Sequence, residues 1–363
     1  MMERVLKKDD LMILLNEVKY QGIESFTVEE QFFNTELLEI DLEDGHYNVK
    51  LANRDDFGPF PDKEKYFNVD DLPGYKEYIE CLISSGLLNF DNWDKFIDWL
   101  EYMYRSETDP SLSSKSVFLS IDTNMAYYRL ISRRFPIETG DHVIRATDFD
   151  YLLSSIVENE IDHRIEDKYD HSDLKMMGMY TKIGDLRFNF RNRGTLQTRK
   201  AKFATQELNH LRGDLNAARV KGQASKRNSE RNDIRIVESL ENFSWSKNID
   251  VALISSDRNM GNHAENSEIP YFVLEMPTSL RKKNKVKSDI VLNLLHDLAL
   301  FYGAVKLPEL KTTLFGIWGG KRDIDYRNES VRAWVNPGAS FVDEVQRDLD
   351  VIESLSGPKK KGL

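Results

Sequence analysis

Between residues 116 and 275 the chain alternates short apolar runs with stretches of helical periodicity, and this alternation narrows the fold more than any other feature. SVFLSIDTN (116–124), VALISSD (251–257) and IPYFVLEMP (269–277) read as buried strands. AYYRLISRRF (126–135) reads as a helix, and DYLLSSIVENEIDHRIEDKY (150–169) as a strand or turn running into one. NDIRIVESLENFSWSK (232–247) is an amphipathic helix with Ile234, Val237, Leu240 and Phe243 on one stripe. Strands that alternate with helices predict an α/β domain with a mainly parallel sheet.

The flanks read differently. LKKDDLMILLNEVKYQ (6–21) and NWDKFIDWLEYMYR (92–105) have helical spacing, and ELLEIDLEDGHYNVKLA (36–52) alternates like a hairpin about Asp44-Gly45. SETDPSLSSKS (106–116) reads as a linker. After RKKNKVKSD (281–289) come a helix (290–303), the strand TTLFGIWGG (312–320), a last helix (341–355) and a polar tail, GPKKKGL. The expected organisation is an acidic N-terminal α+β domain over 1–112, a central α/β domain over 113–275 and a C-terminal extension over 276–363 packed on the central domain. The central domain would carry a polar insert at about 171–230.

Net charge is −11, but it is unevenly spread: residues 1–115 hold 26 acids against 12 bases, and the rest hold 35 against 38. The first third repels a polyanion and suits a protein partner; the remainder can face nucleic acid. The insert region 191–235 has twelve Arg or Lys and four acids, with Arg191, Arg193, Arg199, Lys200 and Lys202 as candidate phosphate contacts together with Arg258. RKKNKVK could extend that surface. A solvated helical arm is the plainer reading of such a charge run. Phe188, Phe190 and Phe203 are the few aromatics available for base stacking. With no long apolar stretch and a single cysteine, Cys81, a cytoplasmic protein that spans no membrane is expected.

In an open parallel sheet, ligands sit outside the carboxyl ends of the strands. Asp122 and Asp257 each end a strand there, and Glu160 and Asp233 lie near helix starts that face the same edge. Each has a plain alternative: strand-end aspartates and Asp233 serve as helix caps, and Glu160 as a solvated helix residue. Glu158 competes with Glu160. Converging carboxylates require a compensating cation, and hard oxygen donors favour Mg²⁺ or Mn²⁺. A phosphatase reading fails because residue 124 is Asn where a second Asp is needed. GIWGGKR lacks phosphate-loop spacing. The histidines show no metal spacing, and no Gly-x-Ser-x-Gly elbow surrounds Ser154, Ser155, Ser255 or Ser256.

These segments, in this order, resemble the PIN-domain family. FLSIDTN resembles its first strand, in which Thr/Ser and Asn follow the strand-end Asp. SSIVENEIDH resembles the second motif and places the family acid on Glu160. NDIRIVESL resembles the third, and LISSDRNM the last, as in the endonucleases of nonsense-mediated decay. The resemblance covers about 115–275 and implies a three-layer α/β/α nuclease that cleaves single-stranded RNA. It implies Asp122, Glu160, Asp233 and Asp257 as metal ligands, with Thr123, Asn124 and Asn259 bonding behind them. The insert is longer than in compact members, which leaves Asp214 as a substitute for Asp233. A catalytically silent binding module and a structure-specific DNA nuclease are the alternatives.

Overall fold

In the computed structural model the described residues are 2–43, 45–57, 72–108, 115–140, 142–222, 229–336, 339 and 341–355. The middle of the linker (109–114), insert residues 223–228, Asp44 of the hairpin turn and the tail GPKKKGL lie outside them. The chain divides into two compact units: 88–167 with 197–279, and 1–87 with 168–196 and 280–363.

The first of these is the expected α/β/α domain. Its elements in chain order are β1 (Val117–Ile121), α1 (Thr123–Tyr127), β2 (Asp150–Ser154), α2 (Ser155–Asp162), α3 (Leu196–Asn209), β3 (Ala218–Val220), α4 (Ser229–Lys247), β4 (Asp250–Ser255), α5 (Arg258–Asn266) and β5 (Tyr271–Val273). All five strands are parallel, in the order β5-β4-β1-β2-β3. Val117, Leu119 and Ile121 of β1 and Val251 through Ile254 of β4 are buried, the continuous apolar pattern of strands covered on both faces. The chain runs outward from β1 to β3, then returns to the other side of β1. The direction reverses between β1 and β4, which is where this architecture opens a crevice at the strand ends.

The domain starts earlier than 113. The helix Trp93–Thr108 belongs to it: Phe96 is fully buried and meets Phe272 of β5 edge-on at 5.4 Å. An amphipathic helix goes where its apolar stripe is covered, whatever polar segment follows it.

The second unit is built on an eight-stranded antiparallel sheet in the order Met2–Leu6, Val331–Val335, Thr312–Phe315, Ala304–Leu307, Ser25–Glu30, Glu36–Leu42, Tyr47–Leu51 and Lys283–Val286. The expected hairpin is its Glu36–Leu42 and Tyr47–Leu51 pair, with Gly45 at φ +78° supplying the turn. Residues 280–363, expected to extend the central domain, instead supply half the strands of this sheet, and Met2–Leu6 pairs with Val331–Val335. Alternating strands need partners on both edges, and here these come from the far end of the chain. Part of the expected insert also lies here. Phe190 packs edge-on against Phe32 at 5.5 Å, and the amide of Lys182 donates to the Phe32 carbonyl. A Cβ on Gly303 would clash with the same Phe190 ring. Among the described residues no helix is long and apolar enough to cross a membrane.

Candidate functional site

β1 and β4 are adjacent and in register, Ile121 against Ile254, so the residues just beyond them share one edge. The first is Asp122, only 2 % exposed. Its Oδ1 accepts from the Met125 amide at 2.8 Å, capping α1, and its Oδ2 accepts from the Ser255 hydroxyl at 2.5 Å. Burial pushes its carboxyl up to about 6; the hydrogen bonds from Ser255 and Met125 oppose this, and the charge of Asp257 adds to it. Asp257 is half-buried and caps α5 through the Asn259 amide at 2.8 Å. Its own amide donates to Ser255 Oγ at 2.8 Å. One hydroxyl therefore ties the two strand-end acids together. Ser255 looked inert in the sequence because no nucleophile motif surrounds it; its position is that of a brace.

Glu160 joins this edge through Thr123, whose hydroxyl donates to Oε2 at 2.5 Å. Its Oε1 accepts from the side-chain amide of Asn232 at 2.8 Å. Glu158 and Glu160 part by helical phase. Two residues apart on a helix, the side chains point about 200° apart, and the buried Glu158 turns away to ion pairs with the more exposed Arg212, at 3.1 Å, and Arg219. The same phase argument separates Asn232 from Asp233. Asn232 is buried and reaches Glu160, while Asp233 is half-buried and about 100° further round α4. The third acidic motif thus brings its asparagine against Glu160. Nothing in the sequence favoured Asn232 except adjacency to the expected acid. Asp214, the other candidate, is engaged by His210 at 2.8 Å.

Two cations, Arg164 and Lys200, converge on Tyr127, whose hydroxyl also feels Glu160. Arg164 donates to the Tyr127 hydroxyl at 3.4 Å, and the Lys200 ammonium lies 5.9 Å from the ring centroid. Burial raises the phenol's pKa; the two cations lower it and Glu160 raises it, so all four groups share one electrostatic neighbourhood. Arg164 is exposed and went unnoticed in the sequence. Of the expected phosphate contacts, Arg191 is exposed, Arg193 and Lys202 are half-buried and Lys200 is buried. Arg258 is exposed but pairs with Glu275 at 3.4 Å. Arg199 is a correction: it is fully buried in α3 and presents no charge to solvent. Its placement follows from α3 being a core helix rather than a solvated arm. Phe190 and Phe203 are also buried; Phe188 is exposed, with the Arg187 guanidinium 4.6 Å from its ring centre. Asn124 and Asn259 are exposed, and Thr123 is half-buried.

Among the described residues, no group of three or more His, Cys, Asp or Glu side chains is close enough to hold a metal ion. The donor chemistry nonetheless suits a hard divalent cation: the charge of Asp257 opposes ionisation of Asp122 beside the Ser255 and Thr123 hydroxyls, and among the described residues neither acid makes an ion pair.

Residues 120–275 match the family model of the PIN domain, a span running from the end of β1 past β5. No curated protein matches the chain. PIN domains are generally nucleases and typically use divalent metals.

Proposed function

Because this chain is a PIN-domain protein over residues 120–275, we propose that it is a divalent-cation-dependent nuclease that hydrolyses phosphodiester bonds in single-stranded RNA. The observation that carries this reading is Asp122: a carboxyl buried at the reversal of a parallel sheet and pushed up to about 6 by burial, with a second carboxylate, Asp257, adding to the rise. A fold that holds two acids so calls for a cation between them.

Asp122 and Asp257 would hold Mg²⁺ or Mn²⁺, with Glu160 turning in from Thr123 and Asn232, and Asp233 as an outer carboxylate. Bound there, the cation supplies charge neutralisation and an acidified water for attack on phosphorus. The chain's own groups do the rest. Ser255 keeps Asp122 and Asp257 oriented. Thr123 and Asn232 hold Glu160 where it can accept a proton from an attacking water. Arg164, exposed beside Tyr127, neutralises the phosphate that approaches Glu160, and the buried Lys200 adds to the positive field there. Asn124 and Asn259 are exposed beside Asp122 and Asp257 in the chain and suit hydrogen bonds to substrate. Arg191, Arg193 and Lys202 remain candidates for holding the strand. The single cysteine, buried Cys81, suits a reducing compartment such as the cytoplasm.

A second reading is favoured by one observation, the want of three acids within reach of a common ion among the described residues: a silent PIN module that binds RNA without cutting it. The deciding experiment incubates the full chain with labelled single-stranded RNA and DNA in Mn²⁺, Mg²⁺ or EDTA, beside Asp122→Asn and Asp257→Asn. Metal-dependent RNA cleavage lost in both variants is the expected result. Faster cleavage of DNA would replace RNA as the substrate. RNA retained uncut in every metal would transfer the assignment to the silent module.

A further inference from the structure

The seven residues Arg281–Lys287 hold five cations, and they lie in the antiparallel unit, not in the PIN domain. Lys283–Val286 is the last strand of the eight-stranded sheet, paired on one side with Tyr47–Leu51 and, among the described residues, with no strand on the other. Val286 points into the core, so Lys283 and Lys285 share the solvent face. All five cations are exposed, and among the described residues none makes an ion pair. The contrast on the next strand is direct. Lys50 sits opposite Lys283 and is neutralised by Glu39 at 2.6 Å, while Lys283 has no such acid.

Two features exceed what sheet protection requires. One or two edge lysines suffice to discourage edge-to-edge pairing. Here the series continues to Lys287, which occupies the N-cap of the long helix Ser288–Tyr302. A cation at the positive end of a helix is unfavourable, and the cap position prefers Ser, Thr, Asp or Asn. Asp289 is the one acid in that helix's first turn. The local chemistry is therefore that of a surface short of negative charge.

We propose that this edge strand is a second binding surface, one that takes the phosphate backbone of a single-stranded nucleic acid without reading its sequence. Alternate lysines on a strand stand about 7 Å apart, close to the spacing of successive phosphates in an extended single strand. A planar anionic membrane fits less well. The same sheet face carries Glu39 and Asp41 two strands in, in the rows of Lys283 and Lys285, and a broad negative plane would meet those acids. A narrow flexible strand can follow the edge alone. An acidic peptide adding as a further strand would need alternating apolar pockets, which a row of lysines does not offer. The choice of occupant rests on the nuclease reading; the unpaired positive charge does not.

The test uses the full chain carrying Asp122→Asn, in EDTA, so that binding is read without cleavage. Fluorescence anisotropy of a labelled oligouridylate is followed across a salt series, with and without Lys283→Glu plus Lys285→Glu. Affinity should fall by about tenfold or more, and the salt slope should shrink by about 1.4, roughly 0.7 for each phosphate no longer neutralised. Lys283→Gln plus Lys285→Gln should move both quantities in the same direction by less. Unchanged affinity and slope in the Glu variant, with its far-ultraviolet circular dichroism intact, would overturn the proposal. So would a loss confined to phosphatidylserine-rich vesicles or to polyglutamate. Cleavage by the parent chain in Mn²⁺ is scored separately, so a failed nuclease reading and a failed edge-strand reading give different results.

Discussion

Two buried carboxylates, one in each unit, contrast an acid that closes a turn with one held beside a second acid. Glu30 ends a strand of the antiparallel sheet and is 1 % exposed. Its oxygens accept from the amides of Phe32 at 2.6 Å and of Phe33 and Thr35 at 2.8 Å. Burial raises its pKa, and each backbone donor opposes that rise. Asp122 also ends a strand and is equally buried, but it has one amide, one hydroxyl and a second carboxylate nearby. Glu30 closes its turn, and burial and backbone donors dominate its shift. Asp122 is held beside a like charge, an arrangement that folding alone does not reward. Burial of an acid is therefore a poor mark of a site; burial against another acid is a better one.

The sharpest way to break the comparison is to exchange the roles. Asp122→Asn should cut metal-dependent cleavage by at least about a hundredfold, about 3 kcal/mol of barrier, in a single-turnover assay. Near-normal turnover would leave Asp122 as a cap and nothing more. Glu30→Ala should do the reverse. It strands three amides and should cost roughly 3 kcal/mol of stability in urea unfolding, with the per-molecule cleavage rate of the folded fraction unchanged.

Acid titration sharpens the same contrast. The Asp122 carboxyl titrates near 6 in the folded chain against an ordinary 3.8. Between those values the folded state holds a proton that the unfolded state has lost. This group's contribution to stability therefore falls as pH rises through that window, and at neutral pH its ionisation costs up to about 3 kcal/mol. Asp122→Asn should flatten that dependence. Mn²⁺ at neutral pH should raise the thermal midpoint of the parent chain and leave the variant's in place; equal shifts in both would put the ion elsewhere.

Smaller effects separate neighbours. Glu160→Gln should slow cleavage about tenfold with little change in stability. Glu158→Gln should lower stability by about 1 kcal/mol, because Arg212 and Arg219 are near half-exposed or more and regain water. Least of all, Asp233→Asn should change the rate less than Asn232→Ala, measured side by side; the opposite order would return the third acidic position to Asp233.

How much of this was legible depended on distance along the chain. Asp122 and Asp257 could be read because strand, acid and cap are contiguous, and their hydrogen bonds to Met125 and Asn259 stay within three residues. Glu160 over Glu158 was read by family resemblance rather than by phase. Asn232 and Ser255 were missed because their partners are Glu160 and Asp122, 72 and 133 residues away. Arg199 was misread for a related reason: a basic residue in a basic stretch looks solvated until the helix carrying it is placed in a core.

Alternating apolar runs and acids at strand ends by themselves determined a parallel α/β domain with a carboxylate edge, because side-chain periodicity and capping are local properties of the backbone. Tertiary structure alone decided that segments near both ends of the chain share one antiparallel sheet, that 168–196 leaves the central domain and the helix Trp93–Thr108 joins it, and that Asn232 meets Glu160. Strand pairing across hundreds of residues leaves no local trace. A rotation of about 100° per helical residue makes the choice between adjacent side chains depend on how the whole helix is seated.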